Sequence, residues 1–387
     1  MNKQEILLLI DAVDSYDRNL LKGIIKYSRV NTSWLLVRQP PVYRNIKTSE
    51  TERELFCKNL AGVIVSEYKF SDKIKKLKIP KVIAPYKHVF EGMANILTDN
   101  VAIGEMGAKY FMTKGFDHFA FYGYEDSFWS KDRQHAFQRL LGKAGLKCWQ
   151  KNKKKQLSKE SIQKNIENLA RWLSNLPKPI AIMICSDDLS FEVMEAARLV
   201  NAQIPHDIAI LGVDNDDLVC ELCNPPLSSI EHDSFSVGYN AARTLDQIIK
   251  GEMKVPTNII GQPHFIVSRQ STDILAVKDT NVSRAVTYIN EKAPSHNLAV
   301  TDVVKITNLS RRQLERKFLN TIFSGIGKEI HRVKVNHIKY LLFSTNFTMQ
   351  EIALETGFTS FDNFSRYFKQ ISRMSPTEYR KTRIARI

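Results

Sequence analysis

Short apolar runs alternate with amphipathic helical stretches through the first 275 residues. Ile6–Ile10 is one such run, and Leu20, Leu21, Ile24, Ile25 and Tyr27 then recur at helical spacing. Trp34–Val37, Gly62–Val65, Val82–Ala84, His118–Tyr122, Ile180–Ile184 and Ile208–Leu211 read as further strands. Helices are expected near Glu52–Leu60 and over Val101–Lys114, Arg133–Ala144, Leu189–Val200 and Phe235–Ile249. Runs this apolar have no face to give to water, so they call for parallel sheets covered by helices on both sides, an α/β architecture. In such sheets ligands bind beyond the carboxyl ends of the strands.

The loops at those ends are rich in groups suited to a polyhydroxylated ligand. The first strand is followed by Asp14, Tyr16 and Arg18, and His118–Tyr122 by a long loop with Trp129 and Arg133. Ile180–Ile184 leads to Ser186 and Asp187, and Ile208–Leu211 to Gly212-Val-Asp214-Asn215. Carboxylates and guanidinium groups pair with vicinal hydroxyls, and an aromatic face covers the C–H side of a sugar ring. Aspartate also caps helices. Asp188 and Asp217 are read as caps, whereas Asp14, Arg133 and Asp214 are read as ligand residues.

Catalytic and metal readings find little. No G-x-G-x-x-G, G-x-x-x-x-G-K-[ST], G-x-S-x-G or H-E-x-x-H is present, and the nine histidines are scattered, read as surface or cap residues. Cys220-x-x-Cys223 has no second pair to complete a zinc site, and Leu218 breaks the calcium-loop pattern that begins at Asp214. Five cysteines in 387 residues make no disulfide framework. No metal or cofactor is expected. Ile6–Ile10 stops at Asp11, so it does not read as a signal peptide, and no run approaches a membrane span; the expected compartment is the cytoplasm.

The net charge of +15 is concentrated. Residues 278–387 carry 19 Lys/Arg against 9 Asp/Glu, while the other 277 residues carry 37 against 32. Excess positive charge gathered in one domain points to a polyanion. That domain reads as all helical and contains one pattern twice. Thr301 is expected to cap a short helix, a turn follows at Thr307-Asn-Leu309, and Ser310-x-x-Gln313 starts a basic helix. On that helix Leu314, Phe318 and Leu319 face inward. Fifty residues on, Thr348-x-x-Glu351 starts a helix, Gly357 ends it, and Ser360 starts another with Phe364, Tyr367 and Phe368 inward. Helix, tight turn and exposed helix is the layout of a helix-turn-helix. Ile330–Phe343 reads as a helix joining the units, with Val333, His337, Ile338 and Leu341 inward.

Glu351-Ile-Ala, Gly357-Phe358, Phe364-Ser-Arg366-Tyr-Phe368-Lys369 and Ser375-Pro376-Thr-Glu-Tyr379-Arg380 together resemble the AraC/XylS-type DNA-binding domain. A departure is Lys334-Val335-x-x-Ile338, where that family usually shows Arg-Leu-x-x-Ala; altered packing is expected there. The resemblance implies that Ser310, Arg311, Arg312, Glu315 and Arg316 belong to the first reading helix. Ser360, Asp362, Asn363, Arg366 and Lys369 belong to the second, with Lys369 on phosphate. Arginine pairs with guanine edges and asparagine with adenine.

Thr98-Asp99-Asn100 opening a helix, and Gly-x-Asp-Asn after a late strand, resemble the effector domains of lac-repressor-type regulators, which are related to periplasmic sugar-binding proteins. That likeness implies two lobes, roughly 1–116 with 235–262 and 117–232 with 263–275, a linker at 276–282 and a DNA-binding domain at 283–387. Its helix-turn-helix units fall near 298–320 and 348–371. Asp214 is similar to the family's sugar-hydroxyl acceptor and Arg133 to its sugar-binding arginine, while Ser186-Asp187 stands where Asn-Asp is usual. Lac-repressor-type chains carry their DNA-binding part first, so here it is expected at the other end. A sugar domain before an AraC-type domain, with Tyr16-Asp-Arg18, Phe119-Ala-Phe-Tyr-Gly123 and Arg269-Gln-Ser-Thr-Asp273, resembles the pentose-responsive (xylose-type) regulators of that family. The implied function is a sugar-responsive transcription activator rather than an enzyme. Its implied partners are operator DNA, a pentose, RNA polymerase and a second copy of the chain. An N-terminal domain that only oligomerises is the alternative, and a sugar- or DNA-acting enzyme a more distant one.

Overall fold

The computed structural model describes residues 3–12, 14–38, 59–154, 162–253, 257–277 and 279–384. The helix expected near Glu52–Leu60 falls mostly outside them. The elements run β1 (Glu5–Leu9), α1 (Ser15–Asn31), β2 (Leu35–Arg38), β3 (Leu60–Ser66), α2 (Asp72–Lys76), β4 (Lys81–Ala84) and β5 (Ala94–Thr98). Then come α3 (Asn100–Thr113), β6 (Phe119–Tyr124), α4 (Phe128–Lys143), β7 (Cys148–Lys153), α5 (Ile162–Ser174), β8 (Ile180–Ile184) and α6 (Ser190–Leu199). They are followed by β9 (Ile208–Val213), α7 (Asp217–Leu222), β10 (Ser228–His232), α8 (Ser234–Ile249), β11 (Ile259–Gly261) and β12 (Pro263–Val267).

These strands form two six-stranded sheets, ordered β11-β5-β4-β3-β1-β2 and β12-β10-β9-β8-β6-β7. All neighbours are parallel except β10 and β12. Every residue of β6, β8 and β9 is buried, as strands covered on both faces must be. The chain passes between the sheets after β5, after β10 and after β11. A boundary at 116 gives α3 to the first lobe, but its Ile103, Ala108, Tyr110 and Phe111 pack in one cluster with Phe119 and Phe121 of the second sheet. The crossing therefore comes at Asp99, whose carboxylate caps α3 through Ala102 N–H at 2.9 Å.

The remainder is helical: α9 (Thr280–Lys292), α10 (Val300–Lys305), α11 (Arg311–Ile322), α12 (Ile326–Ser344), α13 (Met349–Glu355), α14 (Phe361–Ser372) and α15 (Pro376–Ile384). Two separate cores form. Leu314, Phe318 and Ile322 of α11 join Val282, Ile289, Val303, Ile326 and Ile330 in one. Phe364 and Phe368 of α14 join Val335, Ile338, Leu342, Ile352 and Tyr379 in the other. Helix α12, 19 residues and about 29 Å long at 1.5 Å per residue, supplies both. Burying each of its Ile and Leu side chains stabilises by roughly 1.5–3 kcal/mol.

Three details differ from the sequence reading. Leu319 is 57% exposed, because Ile322 one turn further on takes the inner position. Helix α10 starts after Ala299, not Thr301, and Asp302 accepts from Ala299 N–H at 3.1 Å. On α12, His337 and Val333 are half-buried, and the enclosed position beside them is Lys334. The helical domain touches the two-sheet domain through Lys339 Nζ, which donates to His264 O at 3.1 Å, and through Phe343, whose ring lies 5.3 Å from that of Phe265. Among the described residues no helix is long and apolar enough to cross a membrane.

Candidate functional site

Asp214 directly follows β9 with φ at +108°, a backbone region that a residue with a side chain occupies only under constraint. The constraint comes from beneath. Asp187 lies under the loop, accepting from Ser229 Oγ at 2.7 Å and from Asp216 N–H at 2.9 Å. It sits so close to Gly212 that a Cβ there would stand 2.0 Å from its Oδ1. Burial and the nearby Asp214 charge push the Asp187 carboxyl well above the usual range. Asp187, read from sequence as a ligand residue, is thus fully enclosed scaffold.

Above it, the Asp214 carboxylate is surrounded by donors. His232 Nε2 lies 2.8 Å from Oδ1, Ser186 Oγ donates to Oδ2 at 2.9 Å, and Arg133 Nη1 stands 4.0 Å away. Burial works to raise its pKa, but these donors more than offset it and the carboxyl sits below its ordinary value. Arg133 is buried on the first turns of α4, not in a loop, and its Nε donates to Asn100 at 3.0 Å. Trp129 precedes it on the same helix, with the guanidinium 4.9 Å from its ring. Trp129 also meets Tyr124 of its own lobe and Tyr86 of the other, the latter at 6.0 Å. Tyr16 reaches in from the first lobe, its ring 5.3 Å from that of His232. Burial raises its phenol above the ordinary value.

The structure therefore brings Tyr16, Trp129, Arg133, Ser186 and Asp214 together where the lobes meet. It takes three expected residues elsewhere. Asp14 caps α1 through Asp17 N–H at 2.8 Å. Arg18 pairs with Asp216 at 2.8 Å, and the same oxygen accepts from Ser15 N–H, tying the first lobe to the second. Asn215 turns away to donate to Glu231 and to accept from Arg269, at 3.0 and 2.9 Å. A cavity of about 1100 Å³ lies on this outer side, between Arg18, Asn215 and Arg269 and the α12 residues Asn336, His337 and Tyr340. It does not contain Asp214. The two cysteines of the acidic loop part company: Cys220 Sγ donates to Asp187 and Cys223 Sγ to Ser190.

Sequence reasoning missed His232, Asn100 and Asp216. His232 lies in a segment that did not read as a strand, Asn100 was read only as part of a helix-opening motif, and Asp216, which caps α7 through Leu218 N–H, was not singled out.

The second region is the exposed surface of α11 and α14. Residues 311–320 and 361–370 share one pattern of burial position by position, Leu314 and Phe318 matching Phe364 and Phe368. Ser310 and Ser360 cap the two helices through Gln313 N–H and Asn363 N–H, each at 3.3 Å. Arg311, Arg312 and Arg316 are exposed and Glu315 is half-buried; Asp362, Asn363, Arg366 and Lys369 are exposed.

Two family profiles match the chain: a periplasmic binding protein-like domain over residues 108–272 and a helix-turn-helix domain over residues 303–382. The xylose operon regulatory protein of Haemophilus influenzae is 29% identical over 97% of this chain and 98% of its own length. That of Escherichia coli is 26% identical over 98% and 97%. The chain is a transcription regulator of this two-domain, AraC-type kind. A solved structure described as a xylose-binding transcription activator superposes with a TM-score of 0.61, covering 98% of both chains at 25% identity. A lac-repressor-type protein from Alkaliphilus metalliredigens complexed with D-xylulofuranose gives 0.55 over 70% of the regulator at 21% identity, a likeness of fold.

Proposed function

We propose that the lobes of this regulator close on a small sugar, a pentose of the xylose class, and that closure governs its binding to operator DNA. The observation that carries the reading is the Asp214 carboxylate. It is kept ionised by His232, Arg133 and Ser186, on a strained backbone, against Tyr16 from the opposite lobe and the Trp129 ring. His232 Nδ1 is enclosed and has no hydrogen-bond partner among the described residues, which supports a polar effector beside it. The xylose-binding description of the full-length structural relative supports the sugar class.

Arg311, Arg312, Arg316, Asn363 and Arg366 read base edges, with Glu315 and Asp362 tuning the choice and Lys369 on phosphate. The regulator acts in the cytoplasm as a homodimer and activates through RNA polymerase. It binds without turnover. Burial pushes the Cys185 thiol up to about 12 and leaves Cys220 higher still, so neither suits a cysteine-dependent transfer.

The test is a thermal-shift screen of the full chain against D-xylose, other pentoses and hexoses. A sugar at a hundredfold excess over its Kd stabilises by about 2.7 kcal/mol. Asp214→Asn is expected to abolish that shift and keep basal DNA binding. No response to any sugar, or an unchanged response in Asp214→Asn, overturns the reading and favours a domain that only oligomerises.

A further inference from the structure

The two helix-turn-helix cores meet on α12 between Val333, which packs with the first, and Val335, which belongs to the second. The residue between them, Lys334, is 3% exposed, a rare position for a lysine. Its ammonium finds three partners. It donates to His296 O at 2.8 Å and to Asn297 Oδ1 at 2.9 Å, both in the loop between α9 and α10 of the first unit. It also lies 4.8 Å from the centre of the Phe358 ring, in the turn of the second unit. The same loop reaches that turn directly, since Asn297 Nδ2 donates to Gly357 O at 2.8 Å. Gly357 has φ at +77°, and a Cβ there would stand 2.5 Å from Ser295 O, so only glycine lets the loop and the turn touch.

We propose that Lys334 is a positioning residue for DNA recognition: with Asn297 it locks the two reading helices at one spacing, so that both enter the groove only on DNA whose half-sites match that spacing. The proposal rests on the assignment of α11 and α14 as reading helices. Lys334 itself, enclosed between the cores, touches no DNA. Two modules held rigidly gain affinity when the spacing fits and lose it when the spacing does not. Half-sites read by paired recognition helices lie about 34 Å apart, one turn of the duplex, and a one-base-pair change rotates one half-site away from its helix.

The experiment begins with the full-length wild-type protein selecting its sequence from a randomised duplex library. Binding is then measured to the selected duplex, to versions with one base pair inserted or deleted between the half-sites, and to a version with one half-site scrambled. Wild type is expected to prefer the selected spacing at least tenfold. Lys334→Met and Asn297→Ala, the latter at an exposed position, are expected to lose about tenfold of that preference while binding the scrambled duplex as wild type does. Lys334→Arg is expected to restore it. Equal weakening on all duplexes, or an unchanged spacing preference in both variants, overturns the clamp alone. A wild-type protein that enriches no sequence overturns the reading-helix assignment and the clamp with it.

Discussion

In α11 the residues at 311, 312 and 316 are arginines; the matching positions of α14, fifty residues on, hold Phe361, Asp362 and Arg366. The inner positions correspond, the caps correspond, and both helices end on a residue in the left-handed region, Phe323 at φ +56° and Arg373 at +61°. Their surroundings differ. Helix α11 lies against α3 of the sensor domain, and its Lys317 pairs with Asp279 beside the linker. Helix α14 leans on α12, where Tyr367 OH meets His331 Nδ1 at 2.8 Å. One frame thus sits in two settings: the first unit meets the sensor domain through α11 itself, and the second through Tyr379, whose ring lies 5.5 Å from that of His264.

The largest expected effect separates the two cores. Phe364→Ala should destabilise the second unit by about 3–5 kcal/mol and Leu314→Ala the first by about 2–5 kcal/mol. Hydrogen exchange should show the loss of protection confined to the helices of the mutated core. Equal loss in both units would mean that α12 makes them one cooperative body. Next come the paired arginines. Arg316→Ala and Arg366→Ala should each cost about 1–3 kcal/mol of operator affinity if each reads a base. Binding curves at several salt concentrations check this, because an arginine on phosphate instead lowers the salt slope by about one without changing sequence preference. The smallest effect concerns the caps. Ser310→Ala should cost about 1 kcal/mol of stability in thermal unfolding, because it removes the Oγ that accepts from Gln313 N–H at 3.3 Å. Ser360→Ala should cost about the same, since Ser360 Oγ accepts from Asn363 N–H at the same distance.

The strands that announced themselves in sequence are those whose whole surface is apolar, such as β8 and β9. Strand β10, Ser228–His232, carries four polar residues fit for surface and yet is entirely buried. Ser229 bonds Asp187, His232 holds Asp214, and Glu231 accepts from Asn215. The site has overwritten the hydrophobic pattern there, which is why both the strand and His232 went unread. Arg133 and Asp214, which the fold brings within 4.0 Å of each other, could be singled out in sequence by residue type and position after a strand. Whether Asp187 faces the seam or the scaffold, and which way Arg18 and Asn215 point, depends on loop geometry that no spacing rule encodes. In the helical domain, capping boxes and the repeat at fifty residues are local signals, and they placed helices α11 and α14. The burial of Lys334 depends on a loop nearly forty residues away.

Residues 214 to 216 point in three directions. Asp214 serves the lobe seam, Asn215 the outer cleft shared with α12, and Asp216 the opposite lobe through Arg18. That division depends on two consecutive left-handed residues, Asp214 and Asn215 at φ +47°. Along this loop side chains are exchangeable one at a time, each change altering one function. Length is not exchangeable: inserting or deleting a single residue would hand each of the three tasks to the wrong neighbour, so homologous loops should vary in composition well before they vary in length.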